Sequence, residues 1–108
     1  MRLRERDKRV VVLRVPLPHD DLYIWQGPGL AVRAAVYPLS GQLAAQMYGD
    51  KLTQMRLMLY DGPETIRPGL GVCVDVPGTQ SCDYRVVSVE RWGHQKVTLE
   101  WIPPDMRG

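Results

Sequence analysis

The sequence predicts a mainly β protein: a small antiparallel β-barrel or sandwich of about six strands, with one short helix after the second strand. Three observations predict it. Valine is the commonest residue, at thirteen of 108, and its branched side chain is stiff at χ1 and packs well on a pleated surface. Glycine and proline together supply nineteen residues, well above the usual share of about 12%, so the chain turns often. Apolar residues also fall in runs of about five to eight, many with the two-residue period of a strand.

Each element follows from local pattern. Arg9 to Val15 is a solid apolar run ended by Pro16 and Pro18, which reads as a strand buried on both faces. Pro16 to Gly29 reads as a 14-residue connection, with Leu22, Tyr23, Ile24 and Trp25 followed by Gly27-Pro28-Gly29. Connections of that length tend to be functional, and four large apolar side chains in a row gain by docking on something. Leu30 to Leu39 alternates Val32, Ala34 and Val36 with Arg33, Ala35 and Tyr37 and reads as the second strand. Ser40 then caps a short helix from about Gly41 to Tyr48, with Leu43 and Met47 on one face and Gly49 at its end. Two turns of helix are not stable alone, so this helix is expected to lie against a neighbour.

Thr53 to Tyr60 fits either a strand or a helical continuation, because Met55, Leu57 and Leu59 alternate while Leu52, Met55 and Leu59 share a helical face. The sharp stop at Asp61-Gly62-Pro63 and the β-rich surroundings favour a strand. Val72, Val74 and Val76 alternate before a Pro77-Gly78 turn. Tyr84 to Arg91 and Gln95 to Ile102 flank Trp92-Gly93-His94 and read as a hairpin with one wet face. The domain organisation is then a flexible basic arm over residues 1–8, one β domain over 9–104 and a frayed end over 105–108.

Composition and charge narrow the function. The net charge is +2, with residues 1–9 at +3 and the remainder at −1. A duplex-gripping domain carries a basic stripe on its folded surface, and this body is neutral. No run reaches the ~18 apolar residues of a membrane span and the charged start lacks the apolar core of a secretory signal, so no membrane association and a cytoplasmic chain are expected. Two cysteines are too few for a disulfide framework and are expected to stay reduced.

Candidate chemistry is sparse. His19 and His94 sit in predicted turns beside no nucleophile motif, so neither reads as the base of a triad. Cys73, Cys82 and His94 offer at most three zinc ligands without a C-x-x-C or H-x-x-x-H pair. Asp20 and Asp21 are adjacent and point opposite ways in an extended chain. Gly27-Pro28-Gly29 and Gly69-Leu70-Gly71 lack the further glycine, lysine and helix of a phosphate cradle and read as turns. No enzyme, no metal and no cofactor are expected. Contact residues remain: the basic arm with Arg2, Arg4, Arg6 and Lys8, and the apolar loop with Leu22, Tyr23, Ile24 and Trp25. An alternative is a small barrel that binds nucleic acid, with Trp25, Trp92, Trp101, Tyr23, Tyr37, Tyr48, Tyr60 and Tyr84 as stacking platforms beside the arm.

The order of features resembles a known family. The strand Leu30 to Leu39 with Val32-Arg33-Ala34-Ala35-Val36, the Met47-Tyr48-Gly49-Asp50 connection, and Asp83-Tyr84-Arg85-Val86-Val87-Ser88-Val89 followed by Trp92 and His94 are similar to the head-closure proteins of tailed phages. These are also called head-tail joining, connector or stopper proteins. The likeness spans Arg9 to Ile102 and is nearest to versions carried by prophages of Gram-positive bacteria. It implies a small β-barrel in a ring beneath the portal and adaptor, lining the DNA exit channel and presenting the tail attachment surface. Its implied partners are the portal or adaptor ring, a tail completion or tail-tube protein and neighbouring copies of itself, with passing DNA touched weakly and the virion as its location. The family's gating connection corresponds here to Pro38 to Thr53, which makes Gln42, Gln46, Tyr48, Asp50 and Lys51 the channel or gate candidates. In this chain that segment reads as partly helical, with Asp50 and Lys51 cancelling in charge.

Overall fold

The computed structural model describes residues 4–17, 24–91 and 93–107. Six strands close into an antiparallel barrel: β1 (Arg9–Leu17), β2 (Ile24–Pro38), β3 (Met55–Tyr60), β4 (Gly71–Cys73), β5 (Tyr84–Arg91) and β6 (Gln95–Trp101). Around the barrel the order is β1-β2-β3-β6-β5-β4, and β4 returns to β1 through Val12↔Cys73, Leu13↔Val72 and Arg14↔Gly71. One helix, α1 (Gln42–Tyr48), follows the second strand. The mainly β class, the six antiparallel strands and the place of the helix are those the sequence predicts, and closure decides for the barrel over the sandwich. The 53–60 segment is a strand from Met55, as its stop signal indicated.

Alternation builds the interior. Val11 and Leu13 of β1, Ala34 of β2, Met58 and Tyr60 of β3, Val72 of β4, Val86 of β5 and Val97 and Leu99 of β6 form one continuous buried cluster. A barrel of this size is filled by its own side chains and is not a pore. Ile66 and Leu70, from the 61–70 connection, join the same cluster. The Gln95 side chain holds that connection down, accepting from the Ile66 N–H at 2.8 Å and donating to the Glu64 carbonyl at 2.6 Å, while Arg91 donates to the Ile66 carbonyl.

Several elements depart from the sequence expectation. The second strand starts at Ile24, not Leu30, because Gly27-Pro28-Gly29 forms a bulge within it rather than a turn: Leu13 pairs with Leu30 and Val15 with Gln26, so three β2 residues oppose Arg14 alone. Proline has no N–H to offer a ladder and glycine tolerates close approach, so both suit a bulge. β1 is not buried on both faces throughout. Val10 and Val15 are exposed, whereas Val12 is half-buried against a second, smaller cluster outside the barrel. The valine strand is only Gly71–Cys73, because the buried Asp83 carboxylate accepts the N–H groups of Val74 at 2.8 Å and Asp75 at 2.9 Å. Those groups leave the ladder, and Val76 lies beyond it.

Closure also removes the edge strands that an open β surface would offer to partners. The strands are of unequal length, so some backbone still runs past its neighbours: β2 meets β3 only from Ala35 onward, and β5 meets β4 only at Tyr84 and Arg85. Helix α1 begins after Gly41 with no side-chain cap, so Ser40 does not cap it. At the chain end Pro104–Met106 forms a 3-10 turn, and Arg107 donates to the Ile102 carbonyl at 2.8 Å while its guanidinium lies over Trp101.

Candidate interaction surface

The 39–54 connection is an arm rooted at a narrow neck. Leu39 donates its N–H to the Met55 carbonyl at 3.3 Å, which brings the two ends of the excursion together. Met55 is buried, and the next residue, Arg56, faces Asp75 at 3.5 Å and lies over the Tyr84 ring. Asp75 also takes Arg9 at 3.1 Å. This cluster fixes the root of the arm. Burial raises the Tyr84 phenol above its ordinary 10.0, and the nearby Arg56 charge opposes that shift.

Beyond the neck, nothing on the arm is buried. Leu43 is 70% exposed and Met47 65%. The expectation that α1 packs on a neighbour within the chain is therefore corrected. Its apolar pair faces out, and its geometry comes from the neck, from Gly49 at φ +54° and from the 3-10 segment Gly49–Gln54 that follows. Gln42 and Gln46 are exposed one turn apart on the adjoining face, Asp50 and Lys51 are exposed beyond them, and Tyr48 is half-buried. The five gate candidates therefore share one projecting element, together with Leu43 and Met47, which the sequence reading placed on a packed face.

The other candidates do not gather into one site. Arg2, Leu22 and Tyr23 lie outside the described residues, as do His19, Asp20, Asp21 and Trp92. Arg4 and Arg6 are exposed, with Arg6 in the 3-10 turn Glu5–Asp7. Lys8 is not free for a partner: it pairs with Glu5 at 2.8 Å and Asp61 at 3.0 Å, and its side chain is 8% exposed. Those two carboxylates hold the Lys8 ammonium above its ordinary value. Glu5 also takes Arg33 of β2 at 3.3 Å, which ties residues 5–8 to the barrel.

Ile24 is half-buried, and Trp25 is only 7% exposed. Trp25 belongs to the outer cluster with Cys73, Cys82 and Ile102, flanked by Val12 and Val76, and this corrects its assignment to an intermolecular surface. A Cβ on Gly71 would come within 2.7 Å of the Trp25 ring and 2.8 Å of Cys82 Sγ, so only glycine lets the indole lie there. Tyr60 and Tyr84 are core residues as well, which removes them and Trp25 from any base-stacking platform.

Arg14 is the residue that sequence reasoning missed. Its guanidinium donates to the carbonyls of Gly78 at 3.2 Å and Gln80 at 3.1 Å, and reaches those of Trp25 and Gln26 at 3.4 Å. It thereby ties the 74–83 loop to the β1–β2 hairpin. A lone arginine amid valines is the only signal the sequence carries for it.

Among the described residues no group of three or more His, Cys, Asp or Glu side chains is placed to hold a metal ion, and no helix is long and apolar enough to cross a membrane. No family model, curated protein or solved structure matches the chain.

Proposed function

We propose that the protein is a structural joint of a tailed-phage or prophage particle, a head-closure component that connects the portal or adaptor ring of the DNA-filled head to the tail. It acts by contact and has no turnover. The observation that carries this reading is the arm: a filled, closed barrel holds out one rigidly rooted helix whose Leu43 and Met47 are exposed. An apolar pair held in water gains when a neighbouring ring covers it, by about 25 cal/mol per Å² buried. The sequence resemblance supports the same reading.

The amide face of the arm suits the channel side of such a ring. Gln42 and Gln46 are neutral and the charges of Asp50 and Lys51 cancel, so DNA passing the arm meets little of the phosphate attraction that would hold it. Each subunit contributes a small contact, and a ring of copies on one template multiplies them because every docked copy raises the effective concentration for the next.

The test is particle assembly in a phage or prophage whose own copy of the gene is replaced. With Leu43→Glu and Met47→Glu combined, the purified protein keeps the wild-type circular dichroism and Tm, and filled heads accumulate without tails. Normal yields of joined particles from that variant would overturn the proposal.

A further inference from the structure

Cys73 ends β4 and Cys82 lies where the 74–83 loop returns to β5. Their sulfurs are 3.3 Å apart and joined by a hydrogen bond. Cys73 is 2% exposed and Cys82 0%, and Trp25, Ile102, Val12 and Val76 wall the pair. A disulfide needs its sulfurs at about 2.05 Å, so the two have roughly 1.3 Å to close.

The two thiols are not equivalent. The hydrogen bond shared with Cys82 holds Cys73 below its ordinary value of 9.0 against the opposing effect of burial, and the nearby Arg14 charge helps to lower it. The same bond and then burial push Cys82 far up. Cys73 is the more readily ionised of the pair, and its sulfur lies 3.7 Å from the carbonyl of Gln80, on the exposed stretch of the loop. Asp75, Pro77, Thr79 and Gln80 are all exposed there, and the Arg14 hydrogen bonds to Gly78 and Gln80 are what seal the cover.

We propose that Cys73 and Cys82 are a redox-modification site, at which a small peroxide converts the pair into an intrachain disulfide that staples the 74–83 loop to β4. In the first step the Cys73 thiolate attacks hydrogen peroxide; the O–O bond breaks, Cys73 becomes a sulfenic acid and hydroxide leaves. In the second, Cys82 sulfur attacks that sulfenic sulfur, the S–O bond breaks, and water departs with the Cys82 proton. The two thiols lose two electrons in all, and the peroxide is reduced to two waters. The staple reaches the arm, because Asp75 of the same loop holds Arg9 and Arg56 at the arm's root.

The test compares the full chain before and after treatment with a stoichiometric excess of hydrogen peroxide. The oxidised protein loses about 2 Da, the mass of two hydrogens. It has no thiol titratable in denaturant, runs as a monomer on a non-reducing gel, and gains roughly 5–10 °C in Tm that dithiothreitol reverses. Cys73→Ser and Cys82→Ala each lack the gain in Tm. Since either variant can itself disturb the outer cluster, the wild-type mass and thiol count decide. Two titratable thiols after treatment, a mass raised by oxygen atoms, or disulfide-linked dimers would each overturn the assignment.

Discussion

Trp25 shows how one residue changes meaning once its neighbours are known. In the sequence it ends a run of four apolar residues in a long connection, a pattern that fits an exposed docking loop. In the fold it fills the outer cluster over Gly71 and against Cys82, where the bulge at Gly27-Pro28-Gly29 and the Arg14 hydrogen bonds hold its strand in place. Trp25→Ala therefore acts on stability, at about 3–5 kcal/mol for the loss of a buried tryptophan. That is a large part of what a small domain has. Urea unfolding of the variant measures it: the midpoint falls sharply, and an unchanged midpoint would return Trp25 to the surface. Arg14 is its counterpart, a charged residue whose guanidinium serves four carbonyl oxygens, a role that depends on Arg's fork of donors and that lysine's single ammonium cannot fill.

At the scale of elements, periodicity was a sound guide to strands and a poor one to what covers them. The two-residue alternation of β5 and β6 shows directly in their burial, and the stop at Asp61-Gly62-Pro63 identified β3 where helix formers competed. Alternation reports which side chains share a face, so it found Val97 and Leu99; the unbroken apolar run of β1 carries no such signal and did not separate buried Val11 and Leu13 from exposed Val10 and Val15. Nor does alternation report pairing between distant strands, so the β1–β4 seam and with it the closure were not legible. The same limit applies to the candidate surface. The positions of α1 and Gly49 were legible, but the exposure of Leu43 and Met47 was not, because an amphipathic pair reads alike whether the chain or a partner covers it. A seven-residue helix with no buried residue draws its order from the neck alone. Hydrogen exchange is then expected to be fast across residues 42–54 and slow in β3, β5 and β6, with the boundary at Met55. Protection of the arm equal to that of the strands in the isolated protein would mean that something within the chain covers it.

At the scale of the whole molecule, closure decides how copies can meet. Closure gives each of the six strands two neighbours, and the edge left for strand addition is partial: residues 24–34 of β2 run past β3. Charge gives little help, since the net value is +2 and several of the described basic side chains are engaged: Lys8 with Glu5 and Asp61, Arg9 and Arg56 with Asp75, Arg33 with Glu5 and Arg85 with Glu100. The arm carries the two most exposed large apolar side chains among the described residues, and its helix of seven residues is about 10 Å long. Its exposed apolar pair is small beside the ~800 Å² that each partner buries in a stable interface. The free protein is therefore expected to be a monomer at micromolar concentration, with rings forming only where a template holds copies side by side and converts weak contacts into avid ones. Sedimentation velocity on the isolated protein gives the first half of the test, and electron microscopy of portal-bearing heads incubated with it gives the second. A single species near 12.3 kDa and rings confined to the heads is the expected pair of results. A stable ring in dilute solution would mean that the barrel wall itself, and not the arm, carries the contact between copies.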